Sequence, residues 1–173
     1  LMDTVHADYE FGEELKGINF NNRILLVTTH RRENWGDHMR DIYEALIQLV
    51  DKFDDVEIVF PVHKNPTVKD VAVEMLGDRE RVHLLEPLEY EAFANLMNAS
   101  YIILTDSGGM QEEAPSLGKP VLVLRDTTER PEAVTAGTVK LIGTNRQRIY
   151  DTAHLLLSNK EEYNKMAHAI NPY

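Results

Sequence analysis

Residues 105–114, with the sequence TDSGGMQEEA, combine residue types suited to binding an anion and a sugar. Two adjacent glycines let a ligand approach the backbone closely because they carry no Cβ atom. If a helix begins just after them, its free N–H groups and its dipole favour a phosphate there. Two interpretations stay open for Ser107: its hydroxyl donates to a phosphate oxygen, or its side chain caps the helix.

Two adjacent glutamates follow these glycines. One turn into a helix, Glu113 is placed to accept two hydrogen bonds from a ribose diol. The alternative is that its charge only stabilises the helix N-terminus. Successive helical side chains point in different directions, so Glu112 faces elsewhere and is predicted to be solvated.

Basic side chains cluster in three other polar segments: THRREN at residues 29–34, PVHKNP at 61–66 and RDTTERPEA at 125–133. The basic residues in these segments include His30, Arg31, Arg32, His63, Lys64 and Arg130. The whole chain has 18 Lys and Arg against 29 Asp and Glu, a net charge of −11. Clustering of positive groups in such a chain indicates local donors for a negatively charged ligand.

The elements that position these segments follow from the hydrophobic pattern. Short β-branched runs alternate with longer amphipathic segments, which predicts an α/β fold with a doubly wound parallel sheet. Strands are predicted at residues 24–28, 56–60, 82–85, 101–105, 121–124 and 139–142. Helices are predicted between the first two strands and at residues 67–76, 90–99, 111–117, 146–157 and 160–169. Ligands bind beyond the carboxyl ends of such strands, where the polar segments are predicted to meet.

The domain prediction divides the chain in two. Residues 1–22 are mixed and polar, and we predict a linker or an arm from a neighbouring half. Residues 23–173 form the predicted ligand-binding domain. Because the chain starts at Leu1 and stops directly after a helical segment, we expect an excised domain of a longer protein.

Composition disfavours several classes of function. The acidic balance argues against non-specific nucleic-acid binding and against anchoring to an anionic membrane. The 173 residues contain no cysteine, so thiolate metal sites are excluded within them, and a reducing cytoplasm is the expected location. No apolar run approaches the roughly 20 residues that a membrane span needs.

Common cofactor and metal signatures do not match. No G-x-G-x-x-G follows a predicted strand, and no Walker A lysine motif is present. His30, His63 and His83 follow or flank predicted strands, but their spacing matches no metal-ligand motif. We therefore predict no metal.

Five segments together resemble one family, the non-hydrolysing UDP-N-acetylglucosamine 2-epimerases. They are THRREN, PVHKNP, LLEPLEYEAF at residues 84–93, the block from DSGG to ERPEA at residues 106–133, and Gly137. The resemblance runs from about Arg23 to the end. It implies the carboxyl-terminal, UDP-binding half of a two-domain, Rossmann-like protein of the glycosyltransferase-B type.

The resemblance also implies a reaction. Family enzymes interconvert UDP-GlcNAc and UDP-ManNAc without an added cofactor, by eliminating UDP to leave 2-acetamidoglucal and then adding it back. The implied diphosphate-binding residues are Ser107, the N–H groups of Gly108 and Gly109, and Arg130. Glu113 matches a ribose-binding glutamate, and His30 a histidine counted among the active-site residues.

Three further residues match family positions with alternatives open. Phe93 matches an aromatic beside the uracil, but core packing explains it nearly as well. Arg31 and His63 match residues that bind a second, allosteric UDP-GlcNAc in bacterial members. The alternative for Arg31 is that it only forms an ion pair at the surface. The alternative for His63 is that it lies at a strand end and forms hydrogen bonds with the backbone.

The resemblance places the acid/base carboxylates in an amino-terminal half of the same protein, which is the expected partner of this domain. It also implies that the complete protein is a homodimer and that it provides ManNAc for surface polysaccharide. Two other functions stay open for the parent protein. The first is that of a glycosyltransferase or a hydrolysing relative that uses the same donor domain. The second is that of a non-catalytic nucleotide-sugar sensor.

Overall fold

The computed structural model describes residues 4–6 and 9–173, which are built around a sheet of six parallel strands. The strands are β1 (Arg23–Thr28), β2 (Val56–Pro61), β3 (Val82–Leu85), β4 (Ile102–Thr105), β5 (Val121–Val123) and β6 (Val139–Leu141). Their order is β3-β2-β1-β4-β5-β6. The chain therefore winds outward from β1 and then returns to continue on its other side from β4, which confirms the predicted doubly wound sheet.

Seven α-helices in the described residues cover the two faces of the sheet. They are α1 (Asp37–Lys52), α2 (Pro66–Leu76), α3 (Tyr90–Ala99), α4 (Met110–Ser116), α5 (Pro131–Ala136), α6 (Arg146–Ser158) and α7 (Lys160–Ala167). Alternate side chains of β1 enter two separate cores: Leu25 and Val27 pack with α1, α2, α6 and α7, whereas Ile24 and Leu26 pack with α3, α4 and α5. This alternation follows from the two-residue period of a strand.

The predicted elements agree with the structure to within about two residues, and β3 and α3 have the predicted bounds. The sequence analysis missed α5 and two short 3₁₀ helices, Glu13–Leu15 and Arg32–Asn34. Helix α5 has only six residues, starts at Pro131 and stops at Gly137, whose φ is 85°. Such a helix is too short to show an amphipathic period.

The described part of the predicted arm packs on the domain. Leu15 and Ile18 are buried in the core beneath α3 and α4. The backbone N–H of His6 donates to Asn95 on α3, at 2.8 Å, and the Asn95 amide donates to the carbonyl of Thr4, at 3.0 Å. Whether this segment comes from a neighbouring half stays a prediction.

The junction between β1 and β4 positions the loops that follow both strands. Thr28 and Thr105 are register partners, and their hydroxyl oxygens lie 2.6 Å apart. The carboxyl ends of these strands are therefore tied together by side chains as well as by the sheet. Among the helices described, none is long and apolar enough to cross a membrane.

Candidate functional site

The carboxyl ends of β1 and β4 lie side by side where the strand order reverses. Directly after β4, the fully buried Asp106 accepts hydrogen bonds from the segment that follows β1. The donors are the backbone N–H groups of His30 and Arg31, each at 3.1 Å, and the side-chain amide of Asn34, at 3.0 Å. These bonds fix residues 30–34 next to the segment that leads into α4.

The imidazole of His30 contacts the same carboxylate. Its Nδ1 atom lies 3.0 Å from Oδ1 of Asp106, while 52% of the His30 side chain is exposed. The residue predicted to be catalytic is therefore anchored on one side and accessible to a ligand on the other.

The glycine segment between β4 and α4 presents free backbone donors. Helix α4 has Gly109 as its N-cap and no side-chain cap from the residues that the structure describes, so Ser107 does not cap the helix. The N–H of Ser107 donates to Thr105, whereas those of Gly108 and Gly109 donate to no residue that the structure describes. Free N–H groups at the start of a helix favour a bound anion.

Arg130 lies against the first turns of α4. Its Nε atom donates to Glu112 at 2.8 Å, and its backbone N–H donates to Thr128, which itself donates to the buried Gln111. Glu112, which was predicted to be solvated, has 40% of its side chain exposed and also pairs with Arg130, because the loop before α5 brings a guanidinium to it. Helical spacing within α4 carries no information about that loop.

Glu129 lies over the glycine segment. A Cβ atom at Gly108 would lie only 3.0 Å from Oε1 of Glu129 and 3.9 Å from Cζ of Arg130. The Glu129 carboxylate accepts hydrogen bonds from Arg31 at 2.7 Å and from Arg125 at 2.6 Å. The hydrogen bond from Arg125 lowers the pKa of Glu129 below its ordinary value. A carboxylate thus lies where a phosphate is expected.

The two residues predicted to bind the nucleoside lie on neighbouring helices of the same face. Glu113 on α4 is half-buried, and its carboxylate makes no hydrogen bond within the described part of the chain. Phe93 on α3 is also half-buried and packs against the core beneath α3 and α4. Phe93 therefore has a packing role, and its contact with a base stays a prediction.

The two residues predicted to bind an activator also have protein partners. Besides its ion pair with Glu129, Arg31 donates from Nε to the carbonyl of Asp106 at 2.9 Å. His63 is exposed, its Nδ1 accepts the backbone N–H of Asn65 at 3.1 Å, and its ring centroid lies 6.3 Å from that of Trp35. Binding of an activator by Arg31 and His63 therefore stays a prediction.

The three histidines considered for a metal site have separate environments, since His83 pairs with Glu57 at 2.8 Å. Within residues 4–6 and 9–173, no three His, Cys, Asp or Glu side chains are grouped to hold a metal ion.

Sequence reasoning missed the side chains that hold the site together. Asp106 lies within the TDSGG segment, directly after a predicted strand. A carboxylate at that position was the sequence signal that could have identified it as a site residue. Glu129 and Arg125 gave no such signal, because their pairing depends on how the loop after β5 folds back toward β1.

The sequence model of the family described as UDP-N-acetylglucosamine 2-epimerase matches residues 1–173 of this chain. The chain belongs to that family. Its relatives include the UDP-N-acetylglucosamine 2-epimerase of Bacillus subtilis, 56% identical over 152 residues, which cover 88% of this chain and 40% of the relative.

Two solved structures are close in fold. The co-structure of S. aureus MnaA with UDP has a TM-score of 0.93 and 47% identity, covering 98% of this chain and 46% of the other. The UDP-GlcNAc 2-epimerase of Neisseria meningitidis bound to UDP-GlcNAc has a TM-score of 0.89 and 50% identity, covering 93% and 43%. The predicted Rossmann-like fold of a glycosyltransferase-B type protein is confirmed, and the chain spans less than half the length of these relatives.

Proposed function

We propose that this chain is the nucleotide-binding half of a non-hydrolysing UDP-N-acetylglucosamine 2-epimerase, which interconverts UDP-GlcNAc and UDP-ManNAc. The observation that carries the proposal is the convergence of His30, the free amides of residues 108–109 and Arg130 where the strand order reverses. The UDP and UDP-GlcNAc named for the S. aureus and N. meningitidis structures support the choice of ligand.

In this proposal the diphosphate lies at the glycine segment. The N–H groups of Gly108 and Gly109 and the hydroxyl of Ser107 donate to its oxygens, and the guanidinium of Arg130 binds two oxygens at once. Arg130 already lies next to Gly108 and only has to exchange Glu112 for the ligand. These donors stabilise the negative charge that builds on UDP as it leaves the sugar.

The nucleoside is bound by the helices beside that segment. The carboxylate of Glu113 has no protein hydrogen bond in the described residues, so it is available to accept two hydrogen bonds from the ribose hydroxyls. Phe93 packs near the uracil through the part of its side chain that the core leaves accessible.

His30 acts at the reacting end of the ligand. Its exposed edge lies beside the diphosphate segment, where the outer ring nitrogen can take up a proton and transfer it to the leaving oxygen. Elimination breaks the C1–O bond and removes the C2 proton, giving 2-acetamidoglucal and UDP. Re-addition of UDP with a proton on the opposite face of C2 gives the epimer, so no redox cofactor is needed.

The base and acid that handle the C2 proton are proposed to come from another part of the complete protein. Near His30, the carboxylate of Asp106 is buried, and those of Glu112 and Glu129 pair with arginines. The relatives are more than twice as long as the matched segment, which is compatible with a second half that supplies these groups. A homodimer and a cytoplasmic location are proposed on the family resemblance alone.

A regulatory role for Arg31 and His63 is proposed on the same ground. If a second UDP-GlcNAc binds there, displacement of Arg31 from Glu129 would transmit the event to the diphosphate segment. Alanine at His63 is then expected to remove activation of the complete enzyme by UDP-GlcNAc while leaving UDP affinity unchanged. Loss of both together would assign His63 to the substrate site.

The deciding experiment incubates the complete protein with UDP-GlcNAc and follows the anomeric signals by NMR. Appearance of UDP-ManNAc supports the proposal. Free ManNAc would identify a hydrolysing relative, and sugar moved to an acceptor would identify a transferase. The 173-residue chain alone, lacking the second half, is expected to give no UDP-ManNAc.

A further inference from the structure

Asp106 is a fully buried carboxylate, and every hydrogen bond that it accepts from the described residues comes from residues 30–34. Its Oδ1 atom faces the backbone N–H and the Nδ1 atom of His30, and its Oδ2 atom faces the backbone of Arg31 and the amide of Asn34. Removing a buried charge from water is costly, and several charge-assisted hydrogen bonds are needed to offset it. Here one of those bonds comes from the backbone of His30, the residue proposed to be catalytic.

The contact with Nδ1 has a chemical consequence for His30. The 3.0 Å contact between Nδ1 and Oδ1 lies outside the angle of a hydrogen bond, but a carboxylate that accepts hydrogen bonds and donates none would repel a lone pair on Nδ1 at this distance. The contact therefore favours the hydrogen on Nδ1. The neutral ring is then the tautomer whose Nε2 is free, and the ring orientation is fixed by the other nitrogen. More than half of the His30 side chain is exposed, which leaves the ring accessible to a ligand.

The same residue also links two parts of the site along the chain. Asp106 is followed directly by Ser107 and the two glycines, and its own backbone carbonyl accepts a hydrogen bond from Arg31. A shift of the loop after β1 would therefore change the distance between His30 and the diphosphate. Misplacement of about 1 Å in an active site can cost on the order of 100-fold in rate.

We propose that Asp106 is a positioning residue for His30: it fixes the Nδ1–H tautomer and the ring orientation, so that Nε2 faces the diphosphate. The inference rests on the proposed function for its kinetic consequence, but the tautomer itself does not. Asp106 does not touch the substrate in this account and acts only through His30.

The first test measures the tautomer in the unaltered 173-residue chain with ¹⁵N-labelled histidine. At about pH 8.5, two units above the ordinary imidazole pKa, long-range ¹H–¹⁵N spectra report which nitrogen carries the hydrogen. The His30 signals are assigned by their loss in His30→Gln. We expect a protonated Nδ1. An unprotonated Nδ1 would overturn the proposal without any Asp106 variant.

The second test uses Asp106→Asn, whose amide can donate to Nδ1 and so favours the opposite tautomer. We expect the Nε2–H form to increase in the spectra of the chain. In the complete enzyme, kcat should fall by about 100-fold or more, while KM for UDP-GlcNAc changes by less than about threefold. A kcat within threefold of the parent would contradict the proposal.

Thr28→Val is the matched control, because it removes the hydroxyl contact with Thr105 at the same strand junction without contacting His30. Its tautomer, kcat and KM should stay close to those of the parent. An equal loss of kcat in both variants would show that junction integrity, and not the His30 contact, sets the rate. If Asp106→Asn does not fold, the spectra of the unaltered chain decide.

These tests separate the inference from the proposed function. A protein with no epimerase activity, whose His30 still shows the Nδ1–H tautomer that Asp106→Asn reverses, would refute the proposed reaction and keep the positioning role. An active enzyme whose His30 has an unprotonated Nδ1 would keep the proposed reaction and refute the positioning role.

Discussion

On the β1 side of the site, residues 30–34 are held by hydrogen bonds to Asp106, a carboxylate with no exposed surface. On the β5 side, Glu129 and Arg130 are held by ion pairs, and 45% of the Glu129 side chain is exposed. Breaking a buried hydrogen bond to a charged group costs about 1–3 kcal/mol, whereas an exposed ion pair contributes about 0–1 kcal/mol. The β1 side is therefore preformed, and the β5 side can exchange its glutamates for a ligand.

The largest expected binding effect is at the arginine of the exchangeable side. Arg130→Ala should weaken UDP binding by about 1–3 kcal/mol, roughly 5- to 150-fold, because it removes a charge-assisted donor to the diphosphate. Calorimetric titration of the chain measures this. Arg79→Ala is the control, since Arg79 pairs with Asp51 and lies just before β3, at the opposite edge of the sheet. Equal affinities in a folded Arg130→Ala chain would remove Arg130 from the site.

A smaller and more selective effect is expected at the ribose position. Glu113→Gln keeps the shape of the side chain but removes its charge, and should weaken UDP binding by about three- to tenfold. Inorganic pyrophosphate serves as the internal control, and its affinity should change by less than about twofold. If both ligands lose affinity equally, Glu113 does not bind the ribose.

Glu129→Gln should change affinity in the opposite direction. The carboxylate lies over Gly108 and between two arginines, so it competes with an incoming diphosphate. Neutralising it should strengthen pyrophosphate binding by about two- to fivefold at low salt, and less at high salt. Glu162→Gln is the control, because Glu162 pairs with Lys165 within α7 instead. Weaker binding in Glu129→Gln would mean that this carboxylate orients the arginines for the ligand.

The smallest effect concerns stability at acid pH. Because the folded-state pKa of Glu129 is lowered, its ion pairs stabilise the chain above the ordinary carboxyl value of 4.5, and this contribution is lost as the pH falls through the lowered value. In urea denaturation, the midpoint of the parent should therefore fall more between about pH 6 and pH 3 than that of Glu129→Gln. Parallel pH dependences would show that these ion pairs do not contribute to folding.

The difference between the two sides also explains what could be predicted from the sequence. The strands were predictable because β-branched runs are local signals, and the doubly wound order follows from their alternation with helices. The pair of Asp106 and His30 needs β1 and β4 to be neighbours, which is a property of the assembled sheet. Motifs thus predicted that His30 and Ser107 lie at strand ends, but not which side chain holds them.

The β5 side was less predictable for a different reason. The contacts of Glu112 and Glu129 depend on the conformation of the loop before α5, which has no periodic pattern. Helix α5 was missed on the same segment. Local spacing predicts the face of a helix on which a residue lies, but not which loop packs against that face.

The central claim is that this chain by itself carries the nucleotide site, and calorimetric titration of the folded chain with UDP tests it most directly. The account predicts that one UDP binds per chain and that Glu113→Gln and Arg130→Ala both weaken binding. Absence of binding in a folded sample would contradict it, because the site would then need residues from the rest of the protein to form.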